Sequence, residues 1–166
     1  MKFKLIHKIF FCSIAPSGAG KSTYLRSIFD SDIIIEPDAI RKEITGSVSD
    51  QSKDKEVWEE VLKRVLKNLD QNNLCVLDAT NTLSSLRTKF LKQLPADTHK
   101  VAIVFQPKGK DEEIIDKFHK RIQNDLQTGK DRSNVPRDVI QRQLVQFNNG
   151  LQNVYKQFDD VEIIEV

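Results

Sequence analysis

The stretch Ala15-Pro16-Ser17-Gly18-Ala19-Gly20-Lys21-Ser22-Thr23, entered from the apolar residues 9–14, decides how the rest of the chain is read. It has the strand–loop–helix form of a phosphate-binding loop, with Ala15 where the usual pattern begins on glycine. Small residues let the backbone curl closely round an anion, so that successive N–H groups point inward at phosphate oxygens. A helix starting near Lys21 adds the positive end of its dipole at the same spot. In that setting Lys21 reaches the β- and γ-phosphates of a nucleotide, and the Ser22 hydroxyl coordinates Mg²⁺. An ordinary glycine-rich turn is the competing reading. The apolar strand before the loop, and residues 24–29 able to form a helix after it, favour the phosphate cradle.

A chain of 166 residues fits one α/β domain, 1–166, with a substantial core. At 39% apolar and 30% charged residues, its composition is that of an ordinary globular protein. The net charge of +2 is too small to argue nucleic-acid binding, so any polyanion site must come from local clustering. Cys12 and Cys75 sit inside apolar runs, where buried thiols are commoner than disulfides or ligands. His7, His99 and His119 have no metal-ligand spacing. Residues 1–9 alternate charged with apolar side chains and do not read as a signal peptide. No apolar stretch nears the roughly 20 residues of a bilayer span. A cytoplasmic protein is the expectation.

Apolar β-rich runs alternate with helical patterns, which predicts βαβ units and a mostly parallel sheet. The candidate strands are residues 5–14, 32–36, 74–78, 101–106 and 161–166, and their continuous Ile, Val, Leu and Phe content suits cover on both faces. The second strand ends at Pro37. Asp38 and Arg41 follow three apart, so a short helix places both on one face beyond a strand's carboxyl end, where open α/β sheets bind ligands. The pair reads equally well as an N-cap aspartate with an i,i+3 arginine. Residues 46–54 are polar and mobile in character. The helix over 55–70 then carries the stripe Val57, Val61, Val65 and Leu69, with Trp58 a core or groove-edge aromatic.

The strand 74–78 ends in Asp78, placed to lie near Mg²⁺ or to serve as a base beside the phosphate loop. The alternative is a cap for the helix expected over 83–94, a role open to Thr80 or Asn81 as well. A helix from Asp111 turns Ile114, Ile115, Phe118 and Ile122 inward, and Pro136 opens a further one with Val139, Ile140, Leu144 and Phe147. Between them residues 124–134 are polar and carry Lys130 and Arg132, with Arg121 shortly before. Such a segment suits a closing lid whose cations neutralise phosphoryl charge, or else a solvated charged loop.

The order of these signals is itself informative. The loop, Pro37-Asp38-Ala39-Ile40-Arg41, Asp50-Gln51-Ser52, Leu77-Asp78-Ala79-Thr80-Asn81 and a basic segment closing on Asn134-Val135-Pro136 occur in sequence. Over nearly the whole chain this resembles the kinase module of the phage and bacterial end-healing 5′-hydroxyl polynucleotide kinases. The resemblance implies a P-loop kinase-type three-layer α/β fold: a central, mostly parallel five-stranded sheet, helices on both faces and a basic lid over about 121–135. It implies transfer of the γ-phosphate of ATP, or another NTP, to the 5′-OH end of RNA or DNA, with Mg²⁺ as cofactor. Lys21, Asp38, Arg41 and Arg132 would form the catalytic set, with Asp38 as general base and Arg41 holding the acceptor's neighbouring phosphate.

By the same resemblance Pro16, Ser17, Gly18, Ala19, Gly20, Lys21, Ser22 and Thr23 would bind the nucleotide. Arg121, Lys130 and Arg132 would join them from the lid, and Asp78 and Asn81 would lie beside the acceptor. Residues 122–129 are longer or shifted relative to the family lid. Lys130 also stands where an arginine is expected, and lysine lacks the fork that grips phosphoryl oxygens bidentately. No attached phosphatase module is read from these motifs, so the resemblance implies a stand-alone kinase or one subunit of a repair system with a separate phosphatase and ligase. A kinase for a small hydroxyl acceptor (nucleoside, sugar or antibiotic) is the second reading, since the motifs recur there in looser form. An NTP-binding switch is a distant third, because a switch has no need of Asp38 beside the loop.

Overall fold

Runs of β-branched and aromatic residues become the strands β1 (Lys8–Ile14), β2 (Ile34–Ile35), β3 (Leu74–Leu77), β4 (Thr98–Gln106) and β5 (Asp160–Glu165) in the computed structural model, which describes residues 7–166. The helices between them are α1 (Lys21–Ile28), α2 (Pro37–Thr45), α3 (Asp54–Asn72), α4 (Ser84–Leu91), α5 (Asp111–Gln127) and α6 (Arg137–Gln157). Every strand pairing is parallel, in the order β2-β3-β1-β4-β5. Because β1 lies between β3 and β4, the chain departs to opposite sides of it. Its carboxyl end is therefore the switch point where a parallel sheet opens a crevice.

Two apolar clusters sandwich the sheet. On one side Phe10, Cys12 and Ile14 meet the α3 stripe Val57, Val61, Val65 and Leu69, together with Phe147 of α6. On the other, Val76, Ile103 and Phe105 meet Leu25 of α1 and Ile114, Phe118 and Ile122 of α5. The expected three layers are present, and the sheet is wholly parallel. Trp58 sits at the margin of the first cluster with its ring edge-on to Phe90. Cys12 and Cys75 are free and buried, and burial pushes both thiols up to about 12. Among the described residues no helix is long and apolar enough to cross a membrane.

Several boundaries differ from the sequence expectation. Residues 5 and 6 of the first strand lie outside the described residues. The second strand shrinks to Ile34–Ile35, because Ser31–Ile33 forms a 3-10 turn that keeps Asp32 in water. Strand β5 is an edge with Asp160, Glu162, Ile163 and Glu165 exposed, so cover on both faces does not extend to it. Acidic side chains on such an edge discourage pairing with another chain. Helix α4 is shorter than 83–94 and is entered at Leu83 without a side-chain cap, so neither Thr80 nor Asn81 caps it. Residues 124–127 complete α5, which confines the expected lid segment to a loop over 128–136.

Candidate active site

The exits of β1 and β3 are fastened together. The buried Ser13 hydroxyl donates to the Ala79 carbonyl at 2.8 Å, and the Ala15 N–H donates to the Thr80 carbonyl at 3.0 Å. Asn81, in the left-handed region at φ 48°, turns its Nδ2 back to the Ser13 carbonyl at 2.8 Å. Asp78 N–H in turn donates to Ile35 at the end of β2, at 2.9 Å. Three strand ends are thereby fixed along one edge, and each delivers one of the motifs read from the sequence.

In the loop itself, Gly18 and Gly20 have φ of 86° and 88°. A Cβ at Gly18 would lie 2.6 Å from the Phe118 carbonyl oxygen, so both the backbone angle and the approach of α5 demand glycine. Gly20 is the N-cap of α1, whose first amides face the cradle unpaired, as an anion site requires. Lys21 Nζ lies 3.6 Å from Asp78 Oδ1. That is an ion pair without a hydrogen bond, and Oδ1 is buried with no donor at all. Arg121 reaches over from α5 and donates from Nη1 to the Gly18 carbonyl at 2.7 Å.

An orphaned buried carboxylate oxygen beside a phosphate loop fits a place completed by Mg²⁺ or its water. Ser22 and Asp78 would hold the ion, with substrate phosphates supplying the remaining ligands. Among the described residues no cluster of three or more His, Cys, Asp or Glu forms a metal cage, and Mg²⁺ at nucleotides does not use one.

Beyond β2, Pro37 takes the first helical position and Glu36 is the N-cap, so Asp38 is not the cap. Its carboxylate instead accepts a hydrogen bond from Arg41. Arg41 is buried, its side chain 9% exposed, and it also donates to Asp54 Oδ1 from Nε at 3.2 Å and Nη2 at 3.1 Å. Asp54 was not read from the sequence. As the first residue of α3 it offers only the signature of a helix-starting acid, and its partner stands in another element. Asp50 accepts from the Ser52 N–H at 2.9 Å, giving the approach to α3 a local Asx turn.

A cavity of about 430 Å³ opens beside Asp38, bordered by Ala39, Lys42, Val48 and Asp131. Lys42 pairs with Asp131 and Ser133 Oγ donates to the Val48 carbonyl at 3.1 Å, so the 128–136 loop is tied to α2 and its following turn. The expected lid cations behave differently from one another. Arg121 touches the phosphate loop, whereas Lys130 Nζ and Arg132 Nη1 both bind Asp125, at 2.7 and 2.6 Å. Lys130 foremost, with Arg132, holds the Asp125 carboxyl below the usual carboxylate range against a smaller opposing effect of burial.

Two further side chains escaped the sequence reading. Arg87 is buried and donates to the Asn81, Thr82 and Gly150 carbonyls at 2.7, 3.1 and 3.0 Å, joining the β3 exit to α6. Gln143 of α6 accepts a hydrogen bond from the Ser17 N–H at 2.8 Å. No local pattern marks either one.

Comparison with known proteins agrees with this fold. The family described as AAA domain matches residues 14–149. No curated protein sequence matches the chain. Among solved structures the chain is similar to one in the Pnkp1/Rnl/Hen1 RNA repair complex, with TM-score 0.69 and 19% identity over 95% of this chain and 48% of that one. It is similar to a fungal RNA kinase, with TM-score 0.60 and 21% identity over 94% of this chain and 74% of that one. A gluconokinase from Sinorhizobium meliloti has TM-score 0.50 and 20% identity, over 96% of this chain and 83% of that one. The chain spans about half the length of the repair-complex relative, at 48%. What these structures share with it is the P-loop kinase fold, a phosphotransferase architecture.

Proposed function

The chain belongs to the AAA domain family, and from that membership we propose that it is an ATP-dependent 5′-hydroxyl polynucleotide kinase acting on 5′-OH ends of RNA or DNA. The observation that carries this reading is the Asp38–Arg41–Asp54 array beyond the end of β2, where Asp38 borders a cavity of about 430 Å³. Asp38 is oriented by Arg41 yet remains 58% exposed, so a hydroxyl entering the cavity can reach it. In the transfer the hydroxyl oxygen bonds to the γ-phosphorus and the bond to the β–γ bridging oxygen breaks. Asp38 takes the hydroxyl proton.

Lys21, the loop amides and Arg121 stabilise the phosphates. Mg²⁺ at Ser22, with Asp78 nearby, supplies further charge neutralisation when bound. Asp54 is 45% exposed, and an acceptor phosphate can exchange with it on Arg41. Lys130 and Arg132 leave Asp125 as the loop closes over the γ-phosphate. A separate phosphatase and ligase would supply the other steps of end repair.

A kinase for a small hydroxyl acceptor is the second reading, and one observation favours it. The cavity is bordered by Glu36, Asp38, Glu43 and Asp131 against the single lysine Lys42, a lining suited to an uncharged, hydroxyl-rich molecule. Label transfer from γ-labelled ATP with Mg²⁺ separates the two. A 5′-OH oligonucleotide should be labelled, and its 5′-phosphorylated twin should not, with loss of at least ~100-fold in Asp38→Ala and Lys21→Ala. Labelling of a sugar or nucleoside in place of the strand would overturn the polynucleotide reading and keep the base. ATP turnover indifferent to every acceptor would leave only the switch.

A further inference from the structure

We propose that Gln143 is a γ-phosphate contact, an amide donor at the rim of the loop that distinguishes a nucleoside triphosphate from a diphosphate. The inference rests on the reading of residues 15–23 as a nucleotide loop. Gln143 lies in the second turn of α6, which the chain enters directly from the 128–136 loop. Its Oε1 accepts the Ser17 N–H at 2.8 Å, across 126 residues of sequence.

A backbone N–H can only donate, so the orientation of the amide is determined: Oε1 faces Ser17 and Nε2 faces away. Among the described residues Nε2 has no hydrogen-bond acceptor, although it carries two N–H groups. The neighbouring residue of α6 on the same face is braced, since Gln146 Oε1 accepts from Thr82 Oγ1 at 2.8 Å. The Gln143 side chain itself is held against the loop by the Ser17 N–H.

The amides of residues 18–21 have no protein acceptor among the described residues, whereas that of Ser17, just before the left-handed Gly18, is satisfied by Gln143. The cradle proper is thus left for the anion, and the rim gains a side-chain donor on the helix that follows the lid. A neutral donor there strengthens binding of the terminal phosphoryl group, which carries the most charge. A carboxylate in its place repels that group while still accepting from Ser17.

Calorimetric titration tests this, with a non-hydrolysable ATP analogue and ADP, each with Mg²⁺, against wild type, Gln143→Met, Gln143→Glu and Lys21→Ala. Thermal melting of each variant establishes that it is folded. Wild type should bind the triphosphate more tightly than the diphosphate. Gln143→Met, similar in size but without the donor, should lose about tenfold of triphosphate affinity and little for ADP. Gln143→Glu should lose more, and it carries the test if the methionine variant does not fold. Equal weakening for both nucleotides would reduce Gln143 to a structural brace. Tighter triphosphate binding would make it a placeholder that the ligand displaces, and unchanged affinity for both nucleotides would remove it from the site. Either of these last results, with Lys21→Ala still abolishing binding, overturns the Gln143 assignment alone. Failure of wild type to bind either nucleotide overturns the loop reading with it.

Discussion

Asp78 and Lys21 form a pair in which the acid has no hydrogen-bond donor of its own: the side chain is 2% exposed and Oδ1 faces the lysine at 3.6 Å. A buried carboxylate left in that condition is costly unless a cation or its water completes the site on ligand binding. Asp78→Asn should therefore raise the Mg²⁺ concentration for half-maximal ATP-dependent labelling by about tenfold, the low end for a group supporting a metal site. An unchanged Mg²⁺ requirement would reduce Asp78 to a partner of Lys21. The thiols make a second residue-level expectation. Burial holds Cys12 and Cys75 protonated, up to about 12, so the folded protein should release no colour from a disulfide reagent at pH 8. Both should react once denaturant is added, and prompt reaction of either in the native state would contradict its burial. Lys21, Asp38, Arg41 and Asp78 could be picked out from sequence because each stands at a fixed offset from a strand end. Asp54 could not, because its meaning comes from Arg41, and Gln143 and Arg87 are defined only by contacts across the fold.

Helix interiors were legible wherever an apolar stripe ran long, as in α3, whose Val57, Val61, Val65 and Leu69 are all fully buried. Ends were less so. The end of α5 is largely polar because Asn124 and Gln127 face solvent while still in the helix and only Leu126 packs back on the core, and polarity alone read as loop. The short α4 has a different dependence. Its buried Arg87 binds three carbonyls and the Gln157 side chain, so α4, the β3 exit and α6 meet on one guanidinium. Burial pushes that guanidinium's pKa down, while the hydrogen bonds keep the charged group satisfied. Arg87→Ala should cost about 3 kcal/mol in denaturant unfolding, because the carbonyls it serves lose their donor inside the fold. Gly150→Ala should act on the same junction more mildly, since its Cβ would meet Arg87 Nη2 at 3.2 Å. A loss of stability below about 0.5 kcal/mol for Arg87→Ala would show that water replaces the clamp.

At the scale of the molecule, the parallel order β2-β3-β1-β4-β5 puts the loop at the centre of the sheet's carboxyl edge. Elements from both layers then converge on it: Arg121 of α5 binds Gly18, Gln143 of α6 binds Ser17, and Asp78 beyond β3 faces Lys21. The alternation of strands and helices made the parallel sheet readable in advance. The strand order was not, because it is set by which long-range pairings bury the most, and no local run records that. A ligand seated in such a loop contacts structure that opens only when the whole sheet does. Its binding energy should therefore add to global stability in full. At one hundred times its dissociation constant, a nucleotide with Mg²⁺ contributes about 2.7 kcal/mol, which for a chain of this length raises the melting temperature by roughly 5–10 °C. Lys21→Ala leaves Asp78 without its partner and should melt below wild type without nucleotide, and nucleotide should add nothing to it. If calorimetry shows tight binding but melting does not rise, the loop opens independently of the sheet, and the convergence of α5, α6 and β3 on it does not hold the site together.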